Sequence, residues 1–119
     1  MKGRASAGRT IAKDEVGFDA AVLGTSFNAQ DPGRRPALIV QANDDADVVA
    51  AVRQARDQGL TIGICSGGHS WAQNHIRDGG MLVDLSRLNS IAIDPSQRTA
   101  VIGPGCLAGE LNAALVKHK

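Results

Sequence analysis

Apolar residues in this chain form short runs separated by one long amphipathic segment, and their order predicts a strand, a helix and a second strand. Residues 37–40 form an apolar run of strand length, and residues 60–64 form another that is rich in β-branched side chains. Between them the spacing is helical, with Asp44 as a suitable N-cap and Gly59 as a left-handed stop. This order is typical of a βαβ unit, which favours a parallel pair and a right-handed crossover.

The rest of the pattern predicts one more strand, a hairpin and two further helices. The strand lies at residues 81–85, the hairpin strands at 91–93 and 99–102, and the helices at 14–23 and 107–116. The predicted fold class is α+β. It consists of a small mixed β-sheet that begins with the βαβ unit and is extended by the hairpin, with helices packed on it.

The chain has 119 residues, which is enough for one domain. Residues 1–13, rich in Gly, Arg, Ser and Ala, are expected to form a flexible leader, and residues 14–119 a single lobe. The last predicted helix reaches residues 117–119 without a glycine stop and with nothing after it to cover its apolar face. We therefore expect a truncated chain.

Composition and charge narrow the range of functions. Apolar residues make up 43% and charged residues 21%, as in ordinary globular proteins, and the net charge is +1. This balance, with aromatic residues at only 3%, argues against nucleic acid and anionic membranes as partners. No segment has the pattern of a signal peptide or a membrane span. Cys65 and Cys106 are then expected to be free thiols, which favours a cytoplasmic location.

A glycine-rich loop follows the second predicted strand and carries the clearest candidate chemistry. Gly67 and Gly68 have no Cβ, so neighbouring backbone N–H groups can turn toward one point and bind phosphate or pyrophosphate. Ser66 and Ser70 add hydroxyl groups, and His69 offers a nucleophilic imidazole that can bond to a cofactor or move a proton. The same residues also fit an ordinary tight turn with a surface histidine.

Two other interpretations were open from the residues alone. Gly103, Gly105 and Ala108 fit the G-x-G-x-x-A pattern of a Rossmann-type NAD-binding fragment. A metal site would need His69 and His75 together with further ligands, which the chain lacks at zinc spacing. No metal is therefore predicted.

Five short segments occur in an order that matches a known family. They are Arg-Arg-Pro-Ala-Leu-Ile-Val at 34–40, Asp-Val-Val-Ala-Ala-Val at 47–52, Ser-Gly-Gly-His-Ser at 66–70, Asp-Gly-Gly at 78–80 and Val-Asp-Leu-Ser-Arg-Leu at 83–88. In this order they resemble the FAD-linked oxidases with a PCMH-type FAD-binding domain, a group that includes berberine bridge enzyme-like and sugar or alditol oxidases. The resemblance implies the first lobe of such a domain.

The resemblance also implies FAD as the cofactor and a role for each loop residue. In this family the Gly-Gly-His loop wraps the FAD pyrophosphate, and its histidine, here His69, is commonly bonded to the flavin 8α-methyl carbon. Cys65 departs from the family, because many relatives carry an arginine there. The implied cofactor-binding residues are Ser66, Gly67, Gly68, His69 and Ser70, followed by the turn Gly103, Pro104, Gly105 and Cys106.

The function implied is that of the FAD-binding portion of a flavin-dependent oxidoreductase. Such an enzyme takes a hydride from a small alcohol or sugar-like substrate onto flavin N5, and oxygen reoxidises the flavin. No catalytic base is identifiable in this chain, and the lobe alone is expected to be inactive. The alternative is a non-catalytic lobe whose exposed apolar surface allows a homodimer.

Overall fold

Four short strands form the main sheet of the protein, whose computed structural model describes residues 8–118. β2 and β3 both run parallel to β4, and β1 pairs with β2 in the antiparallel direction. The order across the sheet is β1-β2-β4-β3, so the sheet is mixed, as predicted. The strands are β1 (Arg9–Ala12), β2 (Leu38–Gln41), β3 (Ile62–Cys65) and β4 (Met81–Asp84).

The βαβ unit is present, but its two strands are not neighbours. Helix α2 (Asp45–Asp57) connects β2 to β3, with the Asp44 carboxylate accepting the Asp47 N–H at 2.8 Å and Gly59 at φ 64°. β4 lies between the two strands and pairs with both. All four residues of β4 are buried, which is typical of a central parallel strand covered on both faces.

Both faces of the sheet are packed, because alternate strand residues point to opposite sides. Helix α1 (Phe18–Leu23) covers one face, where Ile39 and Leu82 lie in its core cluster. Helix α2 covers the other face through Ala51 and Ala55. The spacing of Val48, Val52 and Ala55 places them on one side of the helix, but of these only Ala55 is buried, and Val52 is about half exposed.

The hairpin forms a sheet of its own. β5 (Ile91–Asp94) pairs with β6 (Thr99–Ile102), and the Asp94 carboxylate accepts the N–H groups of Ser96 and Gln97 in the turn. Helix α3 (Ala108–Val116) packs against β5 and buries none of its side chains. The hairpin position was therefore predicted correctly, whereas its extension of the main sheet was wrong.

The predicted leader begins in a part of the chain outside the described residues, namely 1–7. Its remainder is not a flexible segment, because Arg9–Ala12 forms β1 and Ile11 is buried against the core. The prediction is therefore wrong for residues 9–12. In the described part of the chain, no helix has the length and apolar character needed to cross a membrane.

Candidate functional site

The site lies where the parallel strands of the main sheet end. The chain leaves β3 at Cys65 and enters the glycine loop, residues 66–70. The Cys65 carbonyl accepts the Leu85 N–H at 2.8 Å, which fixes the start of the loop to the end of β4. The carboxyl end of parallel strands is the usual place for ligands in such sheets.

The segment that follows α1 lies directly against the glycine loop and fixes its shape. The Gly68 carbonyl accepts the Phe27 N–H at 3.0 Å, and the Thr25 carbonyl accepts the Cys65 thiol at 3.1 Å. Gly68 has φ +68°, and a Cβ there would overlap the Thr25 carbonyl. Only glycine satisfies both the backbone conformation and this close approach.

This loop presents backbone donors that the protein itself does not use. Within residues 8–118, no protein acceptor bonds to the N–H of Ser66, Gly67, His69 or Ser70. The Gly68 N–H lowers the pKa of the Cys65 thiol, against the larger effect of burial. Free N–H groups on a glycine loop at the end of a buried strand form the kind of nest that holds phosphate oxygens. These residues therefore fit the diphosphate of FAD.

His69 lies on the solvent side of the loop, in contact with the ring of Phe27. Its imidazole stacks on the Phe27 ring, with centroids 5.9 Å apart and planes at 28°. Phe27 in turn meets Trp71 edge to face, with centroids 4.8 Å apart. The sequence analysis did not identify Phe27, because its contact with the loop spans about forty residues of chain.

Cys65 is buried and faces the core rather than the loop surface. Burial raises the pKa of its thiol, and the nearby Asp84 carboxylate raises it further. A buried thiol with a raised pKa is a poor nucleophile and metal ligand. Cys65, which stands where many relatives carry an arginine, therefore has a packing role in this chain.

His75 lies in the connection between β3 and β4, and its side chain is buried. Its Nε2 lies 2.9 Å from the Thr25 hydroxyl, which donates its own proton to the Val22 carbonyl. The Thr25 oxygen must then accept, so Nε2 of His75 carries a hydrogen. Burial lowers the pKa of His75, and the Arg34 guanidinium lowers it further.

Arg34 is a second residue that sequence reasoning missed as part of the site's support. Its guanidinium donates to three backbone carbonyls, those of Ile76 at 2.8 Å, Ala72 at 2.9 Å and Gln73 at 3.0 Å. This fixes the segment that follows the glycine loop. The described residues contain no group of three or more His, Cys, Asp or Glu that could hold a metal ion.

The second predicted FAD segment, the Gly-Pro-Gly turn, uses its donors within the protein. The N–H groups of Gly103, Gly105 and Cys106 donate to the carbonyls of Ser90, Leu88 and Gly103 respectively. A Cβ on Gly103 would overlap the Leu88 carbonyl. The glycines thus allow two chain segments to cross closely. Contact of Gly103, Pro104, Gly105 and Cys106 with FAD stays a prediction.

The turn nevertheless lies near the start of the glycine loop. A Cβ on Gly105 would be 2.6 Å from the Leu85 carbonyl, and the Leu85 N–H is bonded to Cys65. The Rossmann interpretation of this turn is wrong, because it follows β6, one strand of an antiparallel hairpin. A dinucleotide-binding turn of that type follows a strand of a parallel sheet.

The protein has a mixed sheet with a glycine loop at its carboxyl edge, and this loop carries several N–H donors that no acceptor among the described residues uses. These features are typical of a cofactor-binding lobe. Comparison with known proteins identifies the cofactor. Residues 36–119 match the family model described as FAD binding domain. The chain therefore belongs to the FAD-binding domain family of FAD-linked oxidoreductases. The predicted family and the predicted cofactor, FAD, are confirmed.

Individual relatives also point to the family of FAD-linked oxidoreductases. The (R)-6-hydroxynicotine oxidase of Paenarthrobacter nicotinovorans is 41% identical over 105 residues, which are 87% of this chain and 22% of that protein. The crystal structure of 6-hydroxy-D-nicotine oxidase from Arthrobacter nicotinovorans matches 99% of this chain and 26% of its own, with 35% identity and a TM-score of 0.82. Wild-type BBE-like 1 of Physcomitrella patens matches with 28% identity and a TM-score of 0.82, over 92% of this chain and 24% of its own. The chain thus spans about a quarter of the length of the relatives it matches.

Proposed function

We propose that this lobe holds the diphosphate and the methyl-bearing edge of FAD in an enzyme that oxidises a small molecule by hydride removal. One observation carries the proposal: four N–H groups that bond to no protein acceptor within residues 8–118 lie on a loop that also holds His69, and this loop is fixed by the segment after α1. In this arrangement the phosphate contacts and the imidazole belong to one rigid unit.

The loop residues act on the diphosphate through hydrogen bonds. The N–H groups of Ser66, Gly67, His69 and Ser70 donate to phosphate oxygens, and the two serine hydroxyls can add further donors. Residues 66–70 contain no Lys or Arg, so the phosphate donors that the loop itself supplies are its N–H groups and serine hydroxyls. FAD, when bound, supplies the hydride-accepting chemistry.

His69 is proposed to form a covalent bond to the 8α carbon of the flavin. Bond formation between an imidazole nitrogen and that carbon removes one proton from each of them and leaves two electrons on the flavin, which dioxygen then accepts. The neutral imidazole is the attacking form. The bond would prevent loss of the cofactor from a loop that is open to solvent.

The substrate of the complete enzyme is proposed to be a small molecule with a hydroxyl or amino group on the carbon that is oxidised. An alcohol or sugar-like substrate follows from the resemblance, and a relative named as a hydroxynicotine oxidase supports extending the class to amines. The acid or base that handles the substrate proton is not assigned to this chain. The cytoplasmic location also stays a prediction.

The test is to express the chain in a flavin-replete host and to look for flavin that survives acid precipitation. We expect a flavin mass on the peptide that contains His69. The variant His69→Ala should lose this adduct completely and keep some non-covalent FAD binding through the loop. Ser96→Ala, in the hairpin turn, is the matched control and should behave as the unmodified chain. Equal flavin loss in both variants, or an adduct on another residue, would contradict the proposal.

We also propose that the hairpin and α3 form a self-association surface. Val101, Ile102, Leu107 and Val116 are exposed on these elements. Exposed apolar side chains of this kind favour contact with a second copy of the chain.

A further inference from the structure

Two of the chain's three Phe, Trp and Tyr residues, Phe27 and Trp71, lie next to each other beside the glycine loop, and Phe27 contacts His69. Phe27 stacks on the imidazole and Trp71 packs against Phe27, whereas Phe18 lies in the core. Phe27 is 50% exposed and Trp71 75%, so neither contributes much to the core of the lobe. Their placement therefore needs another explanation.

The backbone fixes Phe27 relative to His69. The Phe27 N–H donates to the carbonyl of Gly68, the residue directly before His69. Gly68 is itself packed tightly against the Thr25 carbonyl. The ring of Phe27 and the imidazole are thus attached to two backbone segments that are joined at this point. Movement of one ring relative to the other is restricted to side-chain rotation.

The imidazole has few other contacts that limit its rotation. Among the described residues, no hydrogen bond joins the His69 ring to the protein, and beside Gly67 the ring faces a position where a Cβ would lie 3.2 Å from it. Stacking on Phe27 is then the main interaction that selects one orientation of the ring. Edge-to-face contact with Trp71 restricts Phe27 in turn.

We propose that Phe27 is a positioning residue that holds the His69 imidazole in the orientation needed for flavin attachment. The attachment itself rests on the proposed function, whereas the orientation of the ring does not. A stacked aromatic pair contributes about 0.5–1.5 kcal/mol. Loss of the stack should therefore slow attachment about three- to tenfold, because fewer molecules have the ring in the reactive orientation.

The first experiment measures the rate of covalent incorporation when the apo chain is mixed with saturating FAD. We expect Phe27→Leu to slow the rate about three- to tenfold and Phe27→Tyr to restore it, because tyrosine keeps the ring stack. Non-covalent FAD affinity is compared in the His69→Ala background with and without Phe27→Leu. It should change less than about twofold, because the loop N–H donors remain. Equal incorporation rates for Phe27→Leu and the unmodified chain would overturn the proposal. So would a loss of affinity that accounts for the slower rate.

The second experiment needs no flavin. Ring currents from Phe27 should shift the NMR signals of the His69 C–H protons away from their exposed-histidine positions. Phe27→Leu should return these signals toward those positions, and Phe27→Tyr should leave them shifted. Unchanged signals in Phe27→Leu would overturn the proposal. If the unmodified chain takes up no covalent flavin, the proposed attachment fails, while the NMR comparison still decides whether Phe27 orients the ring.

Discussion

At the scale of single residues, the two adjacent glycines of the loop have different roles. Gly68 combines a positive φ with a close approach to the Thr25 carbonyl, whereas the nearest atom to a Cβ on Gly67 would be the His69 ring at 3.2 Å. Gly59 offers a third case, because it has φ +64° with open space around it. The sequence alone shows three glycines and does not distinguish them.

We predict that Gly68→Ala destabilises the chain by about 3 kcal/mol, because backbone strain and overlap with Thr25 add together. Gly59→Ala, which carries only the strain, should lose about 1–2 kcal/mol. Gly67→Ala should lose less than about 1 kcal/mol, because a flexible side chain can move aside. Urea unfolding followed by circular dichroism measures all three. If Gly68→Ala were no worse than Gly59→Ala, the close packing on Thr25 would be disproved.

A second residue-scale prediction concerns the buried His75. Its pKa in the folded chain lies below the ordinary value of 6.5, chiefly because of burial and then because of Arg34, with Asp84 acting in the opposite direction. At pH values between the pKa of His75 in the folded chain and its ordinary pKa, the unfolded chain binds more protons than the folded chain does. The stability contributed by neutral His75 is therefore complete above about pH 6.5. It is lost as the pH falls from there toward the folded pKa.

The measurement is the urea midpoint at pH 7.5 and at pH 5. We expect the unmodified chain to lose stability at the lower pH and His75→Gln to lose clearly less, because glutamine does not titrate. His118→Gln is the control, since His118 is exposed beyond the end of α3. An equal pH dependence in the unmodified chain and His75→Gln would rule out His75 as its source.

At the scale of elements, caps and turns, which depend on neighbouring residues, were predicted correctly. The pairing of strands from distant parts of the chain was not. The Asp44 cap, the Gly59 stop and the hairpin turn at Asp94 involve neighbouring residues, so the sequence is sufficient to predict them. β1 was missed because four residues with a single buried side chain give no clear alternation. The insertion of β4 between β2 and β3 was missed because pairing across distant segments leaves no local pattern.

Arg34 carries an element-scale prediction, because it links the start of β2 to the segment after the glycine loop. We expect Arg34→Met to lower the free energy of unfolding by about 2–3 kcal/mol, since three carbonyls lose a charged donor. Amide hydrogen exchange over residues 72–76 should become faster. Arg56→Met is the matched control, because the partner of Arg56 among the described residues is Asp57, at the surface. It should lose less than about 1 kcal/mol. Unchanged exchange in Arg34→Met would contradict this role.

At the scale of the whole molecule, the glycine loop could be predicted but its support could not. Ser66 to Ser70 are contiguous, so their chemistry is visible in the sequence. The residues that fix and orient the loop, Thr25, Phe27 and His75, come from other parts of the chain. They meet the loop only because α1 and the β3–β4 connection pack on the same side of the sheet. Nothing in their local sequence indicates this.

The division of the molecule into a packed main sheet and a thinly covered hairpin with α3 leads to the last prediction. Val101 is 74% exposed on β6, whereas Val16 is 94% exposed near α1. We expect the average mass in sedimentation equilibrium to rise with concentration, because contact between the exposed apolar side chains of two copies removes apolar surface from water. Val101→Lys should weaken the association about tenfold or more, since it places a charge in the contact. Val16→Lys should leave it unchanged. A monomer at all concentrations, or equal effects of the two lysine variants, would show that this surface does not mediate self-association.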